Sequence, residues 1–559
     1  MKIIGCIILL VCLGLISAGW ARNFYGLSNK ILEEIWSFHP ITATHLGIHK
    51  YDMQMPDYSK KSQNFRLKRF KQLSEQLDNV DTTALSDDDL VDYYLLRSFI
   101  NDEIFDLETR SIYGQNPLLY VQSCINGVYT IMTRHAASSQ VRMQAVSARL
   151  KQVPDFLEVA RENITNPSTV LCDVGISQLN EGEKFIEAVF ESYKDSLPER
   201  ARMEFQQAKI AAVAAMMRFA YWLEKNQHAD ARYFLGEEGY NYKLRDIHLV
   251  DLDADSMLRI GEYYLASTTR MIDSLSRLLA PAARQMVALP PDFGRDDVIK
   301  YREGEIEYLR DFVAGANIIT IPDAVGDIEV VETPRFLRSL IPGMAMVPPG
   351  PFDASRMSYF FVPPVPVNFD MAEAEYYYNY VSNRWFRGGA VHEAYPGHHL
   401  QLSIANRHPS VVRRAFRDNF LIEGWALYCE EMMAMSGLYE DTVGAMINAL
   451  EGVRYRAARI VVDVKLQTGV FTYDDALQFM TAVFGGDGSY YAREVKRYIS
   501  NPIQPSSYLI GKIQLLELQE DYKHLKGNDF NLKDFHDNLL SHGSIPIELV
   551  RRLMLGGKN

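Results

Sequence analysis

Within GGAVHEAYPGHHLQ, residues 388–401, His392 and Glu393 stand side by side, and His398 and His399 follow. A helical zinc motif of the H-E-x-x-H type needs its second histidine four residues after the first, so that both imidazoles project from one face. The fourth position here is Pro396. On a regular helix His398 lies about 120° around from His392, while His399 lies about 20° around but roughly two turns along. Pro396 removes a backbone donor and crowds the preceding turn, which predicts that the helix opens near Gly397. An opened turn returns His398 to the place of a fourth-position ligand and leaves His399 beside it, facing substrate. A straight helix would make His399 the ligand instead.

The third candidate ligand lies 25 residues beyond His398, in RDNFLIEGWALYCEEMM, where Glu423 sits among Phe420, Ile422, Trp425, Leu427 and Tyr428. A carboxylate in so apolar a helix must be paired or metal-bound, because an isolated buried charge is expensive. His392, His398 and Glu423 would supply the three protein ligands of a catalytic zinc with a position left for water. Glu393 is placed to take that water's proton. Zinc is expected over other first-row metals because imidazole and carboxylate ligands with an open position suit it.

A polar stripe follows in VRYRAARIVVDVKLQ, where Arg456, Arg459, Asp463 and Gln467 recur at helical spacing opposite Ile460, Val461 and Val464. Arg456 and Arg459 could anchor a substrate carboxylate through their planar guanidinium forks. The alternative is a solvated helix face with internal ion pairs. His39, His45 and His49 lie in what resembles a helix and loop packing unit, and no ligand role is expected of them.

The elements that must position these residues are mainly helices. Apolar residues recur at three- and four-residue spacing in LSNKILEEIWSF, in the segment from Asp87 to Glu108, in QVRMQAVSARLKQVPDFLEVAREN, in LPERARMEFQQAKIAAVAAMMRFAYWLEK and in DADSMLRIGEYYLASTTRMIDSLSRLL. Residues 281–297 are expected to form a loop, and 341–367 hold seven prolines around the β-prone MSYFFV. Beside a metal, an exposed edge of that strand could hold an extended peptide by main-chain hydrogen bonds; a plain connector with a protected edge strand is the alternative. EAEYYYNYVSNRW is expected to be an aromatic helix leading into the site.

The first 21 residues, MKIIGCIILLVCLGLISAGWA, have one early cation, an apolar run and terminal small residues, the layout of a cleaved signal peptide. A membrane anchor is the alternative. Cys12 follows Val11 rather than a small residue, which argues against lipid attachment there. Residues 22–559 are expected to be one large catalytic domain, with two lobes possible about the loop at 281–297, on the secreted or periplasmic side. With Cys6 and Cys12 in the leader, the mature chain keeps Cys124, Cys172 and Cys429, too few for a disulfide framework. At 47% hydrophobic and 23% charged, the chain is ordinary globular material, and its net charge of −13 argues against nucleic acid or an anionic membrane as main partner.

The H-E-x-x-P-G-H-H-x-Q run followed by E-G-W-A-L-Y resembles the bacterial DUF885 family, as do ATHLGIHKYD (43–52), YRAARIVVDVKLQTG (455–469) and NPIQPSSYLIGK (501–512). The resemblance implies a large helical fold similar to the zincin-type metallopeptidases, with a deep cleft and a small β-sheet near the metal helix. It implies a zinc-dependent peptidase acting on small peptides. Tyr508 stands where the family pattern carries a tyrosine, whose hydroxyl could steady an oxyanion or simply pack in the core. The family pattern is expected to carry a histidine four residues after Asp463; this chain has Gln467. Hydrolysis of a non-peptide amide or ester, and noncatalytic peptide binding, are the competing functions; intact Glu393 and ligands favour the enzyme.

Overall fold

The protein is described by a computed structural model that covers residues 23–134, 137–278, 295–338, 344–363, 388–486 and 488–556. The leader and EAEYYYNYVSNRW lie outside the described residues, as does most of the expected 281–297 loop. That loop's last residues are already helical, because a helix begins at Arg295 and runs to Gly315.

Helices form where the spacing of apolar residues predicts them. Asp87–Glu108 is capped by Ser86, whose side chain accepts from Asp89 N, and carries Asp87, Asp88 and Asp89 in its first turn, where the helix dipole favours anions. Ser138 and Ser168 cap Ser139–Asn163 and Thr169–Tyr193 in the same way. Glu199–Asn226 and Ala254–Ser276 complete the long helices read from the sequence.

Buried apolar side chains gather into two large cores. One takes in Trp36, Leu96, Leu309, Val391, Leu400, Trp425 and Leu509; the other takes in Val128, Leu150, Phe185, Phe205 and Phe219. Between them lies a sheet of three strands, β1 (Ile328–Glu332), β2 (Ala345–Val347) and β3 (Ser358–Val362), in the order β1-β3-β2. β1 pairs parallel to β3, and β2 pairs antiparallel to it with Met346 opposite Phe360.

The MSYFFV strand is therefore central, a correction to its expected place at an exposed edge. Side chains alternate across a strand, and here Phe360 and Val362 enter one core while Phe361 enters the other. Burial on both faces explains why its sequence is continuously apolar. The edge role falls to β2, which the proline-rich reading passed over.

Asn419–Met435 and Gln504–Lys526 cross at a pair of glycines. A Cβ on Gly511 would stand 1.8 Å from Phe420 O, and one on Gly424 would stand 2.5 Å from the Gly511 carbonyl carbon. The helices thus meet backbone to backbone, which sets how deeply Glu423 reaches. Gly511→Ala is expected to lower the unfolding midpoint by an amount equivalent to about 2–3 kcal/mol, as overpacked cores do. Gly304→Ala is the control, since nothing lies within 4 Å of a Cβ there, and alanine in a helix interior should leave the midpoint unchanged or slightly raised. Equal midpoints for wild type and Gly511→Ala would remove the crossing constraint.

Candidate metal centre

The helix Gly388–Glu393 buries Ala390 and Val391 in the core and ends at the motif. A new helix starts at His398 and runs to Ala405, so the chain does open around Pro396. Gly397 makes the reversal possible: a Cβ there would lie 1.9 Å from His392 O and 2.3 Å from Val391 O. Trp425 Nε1 donates to Pro396 O at 2.8 Å, tying the reversal to the helix that carries Glu423.

This path brings His392, His398 and Glu423 together, with one potential ligand atom from each lying within 4.8 Å of the others. Glu423 Oε2 is 3.6 Å from His392 Nε2 and 3.4 Å from His398 Nε2. Ligands about 2.0–2.2 Å from a tetrahedral zinc stand roughly 3.4 Å apart, so the spacing fits such an ion. Among the described residues, Glu423 Oε2 and His398 Nδ1 are buried without a hydrogen-bond partner. A buried carboxylate oxygen facing two imidazole nitrogens is the donor set a divalent cation would satisfy.

Behind His392 stands Glu430, unassigned in the sequence reading, whose Oε1 accepts from His392 Nδ1 at 2.8 Å. That bond fixes the ring so that Nε2 is directed toward Glu423 and His398. Burial pushes Glu430 up, but Arg456, His392 and Lys512 outweigh it and hold it below its ordinary range. Burial likewise opposes a charged His392, yet Glu423 and Glu430 raise it to about 10. Glu423 is held well below its ordinary range by the two histidines, against the effect of burial. Glu430 follows Glu423 by seven residues, two helical turns, and that spacing is the signal that could have found it.

Glu393 Oε2 accepts from Met346 N of β2 at 3.2 Å, so the edge strand and the candidate base meet directly. Tyr508 stacks on His392 with ring centroids 6.3 Å apart, and its hydroxyl accepts from Gln504 Nε2 at 3.2 Å. Gln504 Nε2 also lies 3.5 Å from Glu423 Oε1. Burial and the nearby Glu423 raise the Tyr508 hydroxyl, against Arg459 and Arg497, so it keeps its proton.

Other expected site residues are placed differently. His399 is fully buried, with Nδ1 2.8 Å from Ser358 Oγ on β3, and burial lowers it to about 4. It packs against the sheet instead of facing substrate. Arg459 lies over the Tyr508 ring, but its Nε donates to Tyr498 OH and its Nη2 to Glu494 Oε2, each at 3.0 Å, so its fork is not free to anchor a carboxylate. Arg456 lies 3.6 Å from Glu430 and serves the carboxylate behind His392. Nor is the stripe a solvated face: Asp463 and Gln467 are fully buried. Gln467 receives Leu235 N at 3.4 Å and donates to Tyr498 O at 3.5 Å, a bridge between backbones.

Asp463 organises the turn before Tyr508. Its Oδ1 accepts from Ile503 N at 3.2 Å, and its Oδ2 accepts from Ser506 Oγ at 2.6 Å and Tyr240 OH at 3.0 Å. Ile503 has φ +73°, a left-handed conformation that a β-branched residue rarely adopts and that surrounding structure must hold.

The family match extends over residues 40–554 and carries the description "Bacterial protein of unknown function (DUF885)". The chain belongs to the DUF885 family. No curated protein matches it. Two solved structures share its fold: a "putative lipoprotein of unknown function" from Shewanella oneidensis, at TM-score 0.76 and 23% identity over 95% of this chain and 99% of that one, and the "putative lipoprotein" from Colwellia psychrerythraea, at TM-score 0.76 and 19% identity over 95% and 98%. At these identities the likeness shows the fold alone. Among the described residues of this DUF885 chain, no helix is long and apolar enough to cross a membrane.

After zinc loading and dialysis, His392→Ala, His398→Ala and Glu423→Ala should each retain little metal, while His399→Ala should retain it. Glu430→Gln should weaken zinc binding about 10–100-fold. Elemental analysis decides, and full occupancy in any of the first three removes that residue from the ligand set. Burial raises Asp463 to about 7, partly offset by its bonds to Ser506, Ile503 N and Tyr240. A carboxyl whose folded pKa lies above its unfolded value favours the folded state at low pH, and that stability is lost as pH rises from about 4 to about 7. Wild type should therefore lose stability relative to Asp463→Asn across that window in denaturant titrations; a constant difference would show that Asp463 does not titrate there.

Proposed function

We propose that this protein is a zinc-dependent peptidase of the zincin type that hydrolyses small peptides. The observation that carries the reading is the convergence of His392, His398 and Glu423 beside Glu393, with the outward amide of the β2 edge at the same place. When bound, the metal supplies Lewis-acid polarisation of the substrate carbonyl and makes water a nucleophile near neutral pH. His392, His398 and Glu423 would hold it.

The chain's own groups supply the remaining steps. Glu393 takes the proton of the attacking water and returns it to the leaving amine. Tyr508, kept protonated, donates to the developing oxyanion. Gln504 fixes the Tyr508 hydroxyl and touches Glu423, so one amide aligns both. Met346 N, turned away from β3, offers an extended peptide a main-chain hydrogen bond once Glu393 engages water. The signal-like leader supports a secreted or periplasmic place of action, the leader being removed or serving as an anchor.

Zinc-loaded wild type and Glu393→Gln, digested against a mixed peptide library with mass readout, test the reading. Cleavage by wild type should fall by about 10²–10⁴-fold in the variant while zinc content is unchanged. A zinc-replete wild type that leaves every peptide intact sinks the peptidase reading and shifts the same chemistry to a non-peptide amide or ester.

A further inference from the structure

Just beyond β2 the chain turns through Pro348, Pro349 and Gly350, and basic side chains from separate elements meet there. Arg134 donates from Nη1 to Pro348 O at 2.6 Å, and its Nη2 lies 3.2 Å from His45 Nδ1. Arg417 donates to Asn406 Oδ1 at 3.0 Å, while Asn406 Nδ2 donates to Pro349 O at 3.1 Å. The turn is thus held on one side by the Arg134 guanidinium and on the other by the Asn406 amide, which Arg417 backs.

Among the described residues, negative charge does not match this. Asp353 is 3.8 Å from Arg134 Nε, but it is already shared with His49 at 2.9 Å and Gly350 N at 2.7 Å. Arg417 makes no ion pair with any described residue; its one side-chain bond is to a neutral amide. The surplus shows in its neighbours. Burial, then Arg134 and Arg417, push His45 down to about 3, and burial and Arg134 lower Arg417 to about 10. As residues, Arg417 and His45 are each part-exposed, whereas Arg134 is buried. Desolvated charge of one sign calls for a counter-ion, and a planar guanidinium is suited to a carboxylate.

Chain geometry places this cluster near the metal centre. Pro348 is two residues past Met346, about 7 Å along the strand. Arg417 lies two residues before the helix Asn419–Met435 that carries Glu423, and Asn406 caps the helix that starts at His398, about 12 Å along it. Three short chain paths thus tie the cluster to the segments that carry Met346, Glu423 and His398, with Pro348 at the end of the edge on which an extended peptide would lie.

We infer that Arg417, backed by Arg134 and His45, receives a carboxylate of the substrate about two residues along the bound chain from the bond that is cut. The inference rests on the peptidase reading and specifies its substrates: peptides carrying a free C-terminal carboxylate, or an acidic side chain, at that distance. It moves the expected anchor from Arg456 and Arg459 to the turn beyond the β2 edge.

Binding, not turnover, tests it. Zinc-loaded Glu393→Gln would be titrated calorimetrically with Ala-Ala-Phe-Ala-Ala as free acid and as amide, and with amidated versions carrying one glutamate two residues before or after the phenylalanine. At least one charged peptide should bind about tenfold or more tighter than the neutral amide, since a charge-assisted bond is at stake. The peptide that gains identifies the source of the carboxylate. Adding Arg417→Met should erase the preference while leaving the neutral amide within about twofold, and Arg417→Lys should restore part of it. Equal binding of all four peptides, no binding of any charged one, or an equal loss for charged and neutral peptides in Arg417→Met overturns the inference. The first comparison alters no residue of the cluster, so a folding defect cannot mimic it. Failure of the peptidase reading would show separately, as intact peptides after incubation with wild type.

Discussion

The convergence of His392, His398 and Glu423 depends on a backbone contact. Gly397 lies so close to the carbonyls of Val391 and His392 that no side chain fits between them. Only that approach lets one helix end at Glu393 and another begin at His398 with both imidazoles turned to the same point. A regular helix would carry the second histidine away around its axis. The carbonyl of Pro396 is held by Trp425, two residues beyond Glu423 in the same helix, so a single helix supplies both a candidate ligand and the clamp on the reversal that presents the other two.

Around that point the charges are arranged in a chain. Glu423 faces the imidazoles, Glu430 backs His392, and Arg456 lies against Glu430. On the other side Arg497 donates to Gln504 at 2.7 Å, and Gln504 reaches both Glu423 and Tyr508. Such connections offset the cost of burying these charges, and among the described residues they leave Glu423 Oε2 and His398 Nδ1 as the unpartnered atoms at the centre. Asp463 performs the same service one step further out, holding the strained turn from which the Tyr508 helix starts.

Much of the fold was legible because long helices announce themselves by period. The segments ending at Glu108, Asn163, Asn226 and Ser276 are helical as their apolar spacing predicts. The opened turn at Pro396 and Gly397 was legible from elementary stereochemistry, and Glu423 from a charge in apolar surroundings. Less accessible was anything set by partners distant in sequence. Glu430 sits in CEEMM, where it resembles a solvated charge, and only its two-turn offset from Glu423 marks it. His399 looks chemically available in a string but is turned into β3 by the helix that begins beside it. Arg134, His45 and Arg417 come from separate parts of the chain, and no local pattern links them. The central place of β3 was hidden because its pairing partners are an earlier strand, Ile328–Glu332, and a short one among prolines.

The way β3 divides its side chains reaches beyond the site. Alternate residues of one five-residue strand belong to different hydrophobic cores, with Phe360 and Val362 in one and Phe361 in the other. Neither core can open without exposing part of the strand that seals its counterpart. Cooperative units in proteins are defined by such shared walls. The N-terminal helices, remote from the histidines in sequence, are thereby bound into the same melting event as the residues that gather around Glu423, and their integrity becomes a condition for the edge strand to stay beside Glu393.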